Sequence, residues 1–173
     1  MSWRDVLWKY NAESKDDNPL GLCPAHRLYE NPTYGRLVDR FGEKRVYILS
    51  AGWGLIGADF LTPYYDITFS QDAEAYKRRK KPHPDPNKPD PYEDFRMLSN
   101  EAGDHIVFFG GKDYLPLFYR LTASIRSKKT VFYNSAHIPQ AAGYEHRRFE
   151  TAIRTNWHYR CANDFLDGEI DPG

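Results

Sequence analysis

Two carboxylates stand near a tyrosine pair in the segment ILSAGWGLIGADFLTPYYDITFS, Ile48 to Ser70: Asp59 six residues before Tyr65, and Asp66 directly after it. A carboxylate beside aromatic rings can stabilise a cationic sugar while a ring holds a planar base. Further along, NSAH places Asn134 three residues before His137. An Asn amide can read a base edge through two hydrogen bonds, and a nearby His can donate a proton or stabilise a departing anion. Such a set could hold a planar base and orient a water, and one reaction it would suit is cleavage of an N-glycosidic bond, which passes through an oxocarbenium-like sugar. Asp59 or Asp66 would face the sugar, Asn134 and His137 the leaving base, and Trp53, Tyr64 or Tyr114 would form the shelf. The plainer account is that the tyrosines pack a loop, the aspartates cap turns and His137 is a surface group.

Such residues need elements to aim them. Arg45 to Ser50 (RVYILS), His105 to Phe109 (HIVFF) and Thr130 to Tyr133 (TVFY) are short β-rich apolar runs of the kind buried in a parallel sheet. Helices are predicted from Pro24 with a restart at Pro32 and a stop at Gly42, over Gln71 to Lys80, Tyr92 to Glu101, Asp113 to Ser127 and Arg147 to Phe165. A further strand is predicted at Val6 to Tyr10. Strands alternating with helices give an α/β fold with a central, mainly parallel sheet flanked by helices. Ligands of such sheets sit beyond the carboxyl ends of the strands. The exits SAGWG, GGKDY and NSAH are therefore the places to look, with Ser50, Trp53, Gly54, Gly110, Tyr114 and Asn134 upon them. Glycines directly after a buried strand mark a tight turn or a close backbone approach.

The 173 residues suit one domain, 1–173, with 40% hydrophobic and 28% charged residues. No apolar run reaches the roughly 18 to 20 residues of a membrane span. The charged, aromatic start MSWRDVLWKY lacks a signal-peptide core, and two cysteines are too few for a disulfide scaffold. A cytoplasmic, reduced setting is the expectation. Net charge is zero, from 24 basic and 24 acidic residues, yet the charges are segregated. Lys77, Arg78, Arg79, Lys80 and Lys81 form one basic block, which opens a proline-rich exposed loop over 77–92. Arg147, Arg148 and Arg154 lie in another, beside Trp157 and Tyr159, and residues 166–173 form an acidic tail. Either basic block can hold phosphates, with Lys112 adding a third contact after Gly110 and Gly111. Aromatic residues at 16%, with 13 Tyr against 10 Phe, suit half-exposed sites that stack a base. The histidines and cysteines lack metal-ligand spacing, so no metal or organic cofactor is implied.

The segment SAGWGLIGADF with its following Pro63-Tyr64 resembles the motif of the YaaA peroxide-stress proteins and their small bacterial relatives: strand, S-A-x-x-G-L-L, an acidic stretch, then P-Y. PAHRLYENPTYGRL, Pro24 to Leu37, is similar to the relatives' P-A-x-x-L-Y segment, and HIVFFGGKDYLPLF to a later strand, small-residue turn and helix. Where small relatives carry a Cys- and Lys-bearing strand exit, this chain reads NAESK, with Ser14 and Lys15 in the matching places. The resemblance implies a uracil-DNA-glycosylase-like α/β fold, a link to DNA binding and protection, and site positions at Ser50, Gly54, Asp59, Pro63, Tyr64, Gly110, Tyr114 and Tyr29.

The leading expectation is a nucleic-acid-acting N-glycosylase-like protein that takes a modified or flipped base, from DNA in preference to RNA, with phage DNA as one such target. The alternatives are a non-catalytic DNA-binding protein on the same fold and an enzyme of free nucleosides or deoxynucleotides. The absence of an unambiguous water-activating acid would favour the binder.

Overall fold

The structure, a computed structural model, describes residues 1–101 and 103–173. Its first element is a helix, α1 (Trp3–Glu13), where Val6 to Tyr10 predicts a strand. A capping box overrides the β-prone side chains. The Asp5 amide donates to the Ser2 hydroxyl at 3.2 Å, and the Ser2 amide donates to Asp5 Oδ2 at 2.7 Å. Two donors that a first turn would leave open are thereby satisfied. Leu7 alone is buried on this helix. Asn11 ties it down, accepting from the Leu61 amide at 2.7 Å and donating to the Leu61 carbonyl at 2.8 Å.

β1 (Cys23–Pro24), α2 (Ala25–Leu28) and α3 (Pro32–Phe41) follow. α3 begins behind Asn31, whose side chain accepts from the Thr33 amide, and ends at Gly42 with φ of 81°, as the sequence predicts. β2 (Tyr47–Ser50) and β3 (Gly54–Gly57) form an antiparallel hairpin in which Tyr47 faces Gly57 and Ser50 faces Gly54. β4 (Leu61–Thr62) pairs antiparallel with β1, and β5 (Phe95–Arg96) runs parallel to β3. β6 (Ile106–Phe109), α4 (Leu115–Thr122), β7 (Lys129–Tyr133), β8 (Glu145–Arg148) and α5 (Trp157–Leu166) complete the chain. β6, β7 and β8 are parallel throughout, with β7 central.

The domain is mixed α/β, but its strands divide into a pair, a mixed sheet of three and a parallel sheet of three, in place of one central sheet. Leu49 of β2 and Ile106 of β6 each pack against two core clusters, one around Phe69, Leu117 and Ile125, the other around Phe118 and Val131. That shared packing joins the two three-stranded sheets into one core. No helix among the described residues is long and apolar enough to cross a membrane.

Four helix expectations need correction. Gln71 to Lys80 holds one short turn, Ala75–Lys77. Here the chain is extended because Thr68 bonds it on both sides, donating to the Lys77 carbonyl at 2.9 Å and accepting from the Arg79 amide at 2.8 Å. Tyr92 to Glu101 supplies β5 and no helix. α4 spans Leu115–Thr122 only, after a turn at Lys112–Tyr114. Arg147 to Phe165 divides into the end of β8 and α5, since Arg147 and Arg148 pair with Phe132 and Tyr133. The acidic tail turns back across this sheet: Thr130 Oγ1 donates to the Pro172 carbonyl at 3.0 Å and Arg147 Nη1 to the Asp171 carbonyl at 2.7 Å.

Three histidines flank the parallel sheet, and burial lowers the pKa of His105, His146 and His158 below the ordinary 6.5. His146 Nε2 lies 2.8 Å from the Tyr119 hydroxyl, which donates to the Pro139 carbonyl at 2.7 Å. A base whose pKa is depressed on folding takes up protons more readily unfolded. Stability is therefore complete above the unfolded pKa of about 6.5 and declines as pH falls below it. Thermal unfolding followed between pH 8 and 5 should show Tm falling once pH drops under that value, with a shallower decline in His146→Gln. A Tm that stays level over this window would contradict the assignment.

Candidate functional site

The turn after β2 is gripped from several sides. The Ser50 hydroxyl accepts from the amides of Gly52 and Trp53, both at 3.0 Å. Arg79 Nη1 donates to the Ala51 carbonyl at 2.9 Å, and Arg4 Nη2 reaches from α1 to the Gly52 carbonyl at 3.1 Å. The turn lies close against β5, and only a glycine allows it: Gly54 holds φ at 92° and a Cβ there would lie 2.5 Å from the Phe95 carbonyl oxygen. The rings of Trp53 and Phe95 are consequently stacked, 6.2 Å apart at 22°.

Tyrosines converge beside this pair. Tyr65 stands edge-on to Trp53 at 5.9 Å, and its hydroxyl lies 2.8 Å from that of Tyr29. Tyr29 stacks on Tyr34 at 5.1 Å, and Tyr34 meets Tyr159 of α5 edge-on at 5.7 Å. Tyr114, beyond β6, packs edge-on against Phe69 at 5.0 Å. Burial raises the phenol pKa of Tyr29, Tyr34, Tyr65 and Tyr114 above the usual 10, so each stays a neutral hydroxyl at pH 7. Aromatic faces and uncharged donors and acceptors suit a neutral planar group with polar edges.

Of the residues singled out in the sequence, Ser50, Trp53, Gly54 and Tyr114 belong to this region, with Gly110 at the end of β6. Tyr64 does not: it is 82% exposed, and its neighbour Tyr65 points inward in its place. Asp59 is carried away by the hairpin register. It follows Gly57, opposite Tyr47, at the amino end of β2, about 10 Å along the strand from Ser50. There it pairs with Lys15 at 2.5 Å, joining the NAESK segment to the acidic stretch. Asp66 faces solvent and pairs with Lys77 at 2.7 Å. Asn134 Nδ2 donates to the Phe149 carbonyl at 2.7 Å and borders, with Arg148, Glu150, Thr151 and Ala152, an open depression of about 540 Å³. His137 is exposed. No hydrogen bond among the described residues joins any two of the four polar residues expected to act together, and both aspartates are taken up by lysines.

The basic block is dispersed as well. Arg79 is fully buried and leaves the phosphate-binding set: it pairs with Asp90 at 3.2 Å and Asp94 at 2.6 Å beneath the Ser50–Trp53 turn. Lys77 is shared between Asp66 and Glu74, and Lys81 pairs with Asp113 at 2.5 Å. Arg78 donates to the Ala73 carbonyl, while Lys80 and Lys112 are exposed. Arg147 is engaged by Glu145 at 2.6 Å, whereas Arg148 and Arg154 are exposed with no carboxylate partner among the described residues. No group of three or more His, Cys, Asp or Glu side chains suited to a metal ion occurs among the described residues.

Arg4 and Phe95 are site residues that the sequence reading passed over. The capping signal at Ser2 and Asp5 would have placed Arg4 on a helix; nothing local marks Phe95. No protein-family model matches the chain, and no curated protein or solved structure matches it either. The likeness to YaaA-type proteins rests on the motifs alone.

Proposed function

We propose that this chain binds nucleic acid by holding an unstacked base against the Trp53, Phe95 and Tyr65 rings, without cleaving it. One observation carries the reading: aromatic faces and neutral hydroxyls gather at the carboxyl end of β2, while Asp59 and Asp66 are drawn off into ion pairs elsewhere. Glycosidic cleavage requires a carboxylate at the sugar, and the carboxylates nearest the turn, Asp90 and Asp94, are buried and held by Arg79. The exposed Arg148 and Arg154 and the lysines Lys80 and Lys112 serve the phosphates, a contact that weakens with salt.

Retention of single-stranded DNA and RNA on filters over a range of salt, with mass spectrometry for free bases in the same tubes, tests this directly. The expected outcome is salt-sensitive retention and no released base. Trp53→Ala should cost about 1–3 kcal/mol of binding, the usual worth of one stacked base. Release of a specific base would restore the glycosylase reading, and competition by a free nucleoside at equal strength would favour a small-molecule site.

A further inference from the structure

α1 lies over the Trp53 and Phe95 rings, and it supplies groups of its own to them. The indole of Trp8 packs on Phe95 with centroids 5.8 Å apart and planes tilted by 35°. The Arg4 guanidinium stands 5.8 Å from the centre of the Trp53 ring. Both rings that would stack a base are therefore already occupied by a planar group from one helix.

The cover is imperfectly matched to what it covers. Three buried side-chain donors among the described residues have no hydrogen-bond partner, and two of them, Arg4 Nε and Trp53 Nε1, belong to this contact. A buried N–H left without an acceptor forfeits its hydrogen bond to water and destabilises the closed contact. α1 buries little apolar surface, and among its polar ties to the rest of the chain are those of Asn11 to Leu61 and Arg4 to Gly52. Leu7 is its single buried residue, with Trp3 80%, Trp8 53% and Val6 42% exposed. A helix with so little burial and a frustrated contact is a segment that opens at low cost relative to the core.

Resting on the base-binding reading above, we infer that α1 is a displaceable cover in which Trp8 occupies the place of a stacked base. An unstacked base with a carbonyl or ring-nitrogen acceptor takes over the Phe95 face and satisfies the indole N–H of Trp53. The chemistry recognised is thus an extruded or single-stranded nucleobase, and the closed helix lowers apparent affinity by the fraction of molecules that are shut.

The test compares the full-length chain with Trp8→Ala and Arg4→Gln, using a single-stranded thymidine oligonucleotide and an abasic strand of equal length. With the cover shut in about nine molecules of ten, releasing it tightens binding to the thymidine strand about tenfold. Binding of Trp8→Ala to the abasic strand stays unchanged. Amide hydrogen exchange over residues 3–13 of the unaltered protein should quicken when the thymidine strand binds, a readout independent of any substitution. Equal or weaker binding by both variants, or slower exchange in α1 on binding, overturns the cover while the base-binding reading stands. Failure of the wild type and both variants alike to prefer the thymidine strand over the abasic one overturns the base-binding reading itself.

Discussion

Replacing Arg79 with Met should remove about 3–5 kcal/mol of stability, a large share of the total for a domain of this size. The arginine is wholly shielded, as are the Asp90 and Asp94 side chains at 4% exposure. Burial alone would lower the pKa of the guanidinium, but hydrogen bonds and charge from Asp94 and Asp90 more than offset this and raise it. It donates to Asp94 through both terminal nitrogens, at 2.6 and 2.7 Å, and packs over the Tyr92 ring at 4.0 Å. Truncation strands two carboxylates in a dry site, which costs far more than the pair itself contributes. The measurement is the urea midpoint of Arg79→Met, of Asp94→Asn and of the double variant. The double variant should be less destabilised than the two single losses added together, because Asp94→Asn removes one of the stranded charges. A loss under about 1 kcal/mol for Arg79→Met would mean that the carboxylates reach water by rearrangement.

The second large effect belongs to Gly54→Ala. Its φ of 92° adds about 1–3 kcal/mol of strain for any residue with a side chain. The new Cβ would also stand 2.5 Å from the Phe95 oxygen and 2.8 Å from its nitrogen. Those atoms are backbone, so no rotamer can yield; β5 must move, and Phe95 moves with it. Gly57→Ala is the matched control, because its Cβ would meet only the side-chain oxygen of Asp59 at 3.1 Å. Gly54→Ala should lower Tm substantially and remove base-dependent retention, while Gly57→Ala changes both little. Equal behaviour of the two would refute the close-approach argument.

Much of the architecture is legible in the chain because apolar runs announce themselves. YILS, IVFF and KTVFY became strands at the expected places. β8 was hidden because its residues, EHRR, are polar; an edge partner of β7 needs no apolar face. The helix predicted at Gln71 to Lys80 had no apolar stripe to bury, and the ion pairs of Arg79 need extended chain. In the site, the glycines after β2 gave the position of the shelf. Choosing Tyr65 over Tyr64 required the phase of the chain past β4, which sequence does not supply. Asp59 looked close to Trp53 because only six residues separate them, yet the hairpin sends it to the far end of β2.

The Arg79 network has a consequence for the proline-rich stretch that it closes. With Arg79 on one side and Asp90 and Asp94 on the other, residues 80–89 form a ring whose ends are already held together, as a disulfide would hold them. Arg120 fastens the ring's interior by donating to the Asp85 and Lys88 carbonyls. Lengthening such a ring costs only about 0.6 kcal/mol for each doubling. Around the exposed Pro86 and Asn87, the chain can therefore be cut or carry an inserted peptide while both flanks remain clamped, making this the natural point at which to graft a reporter.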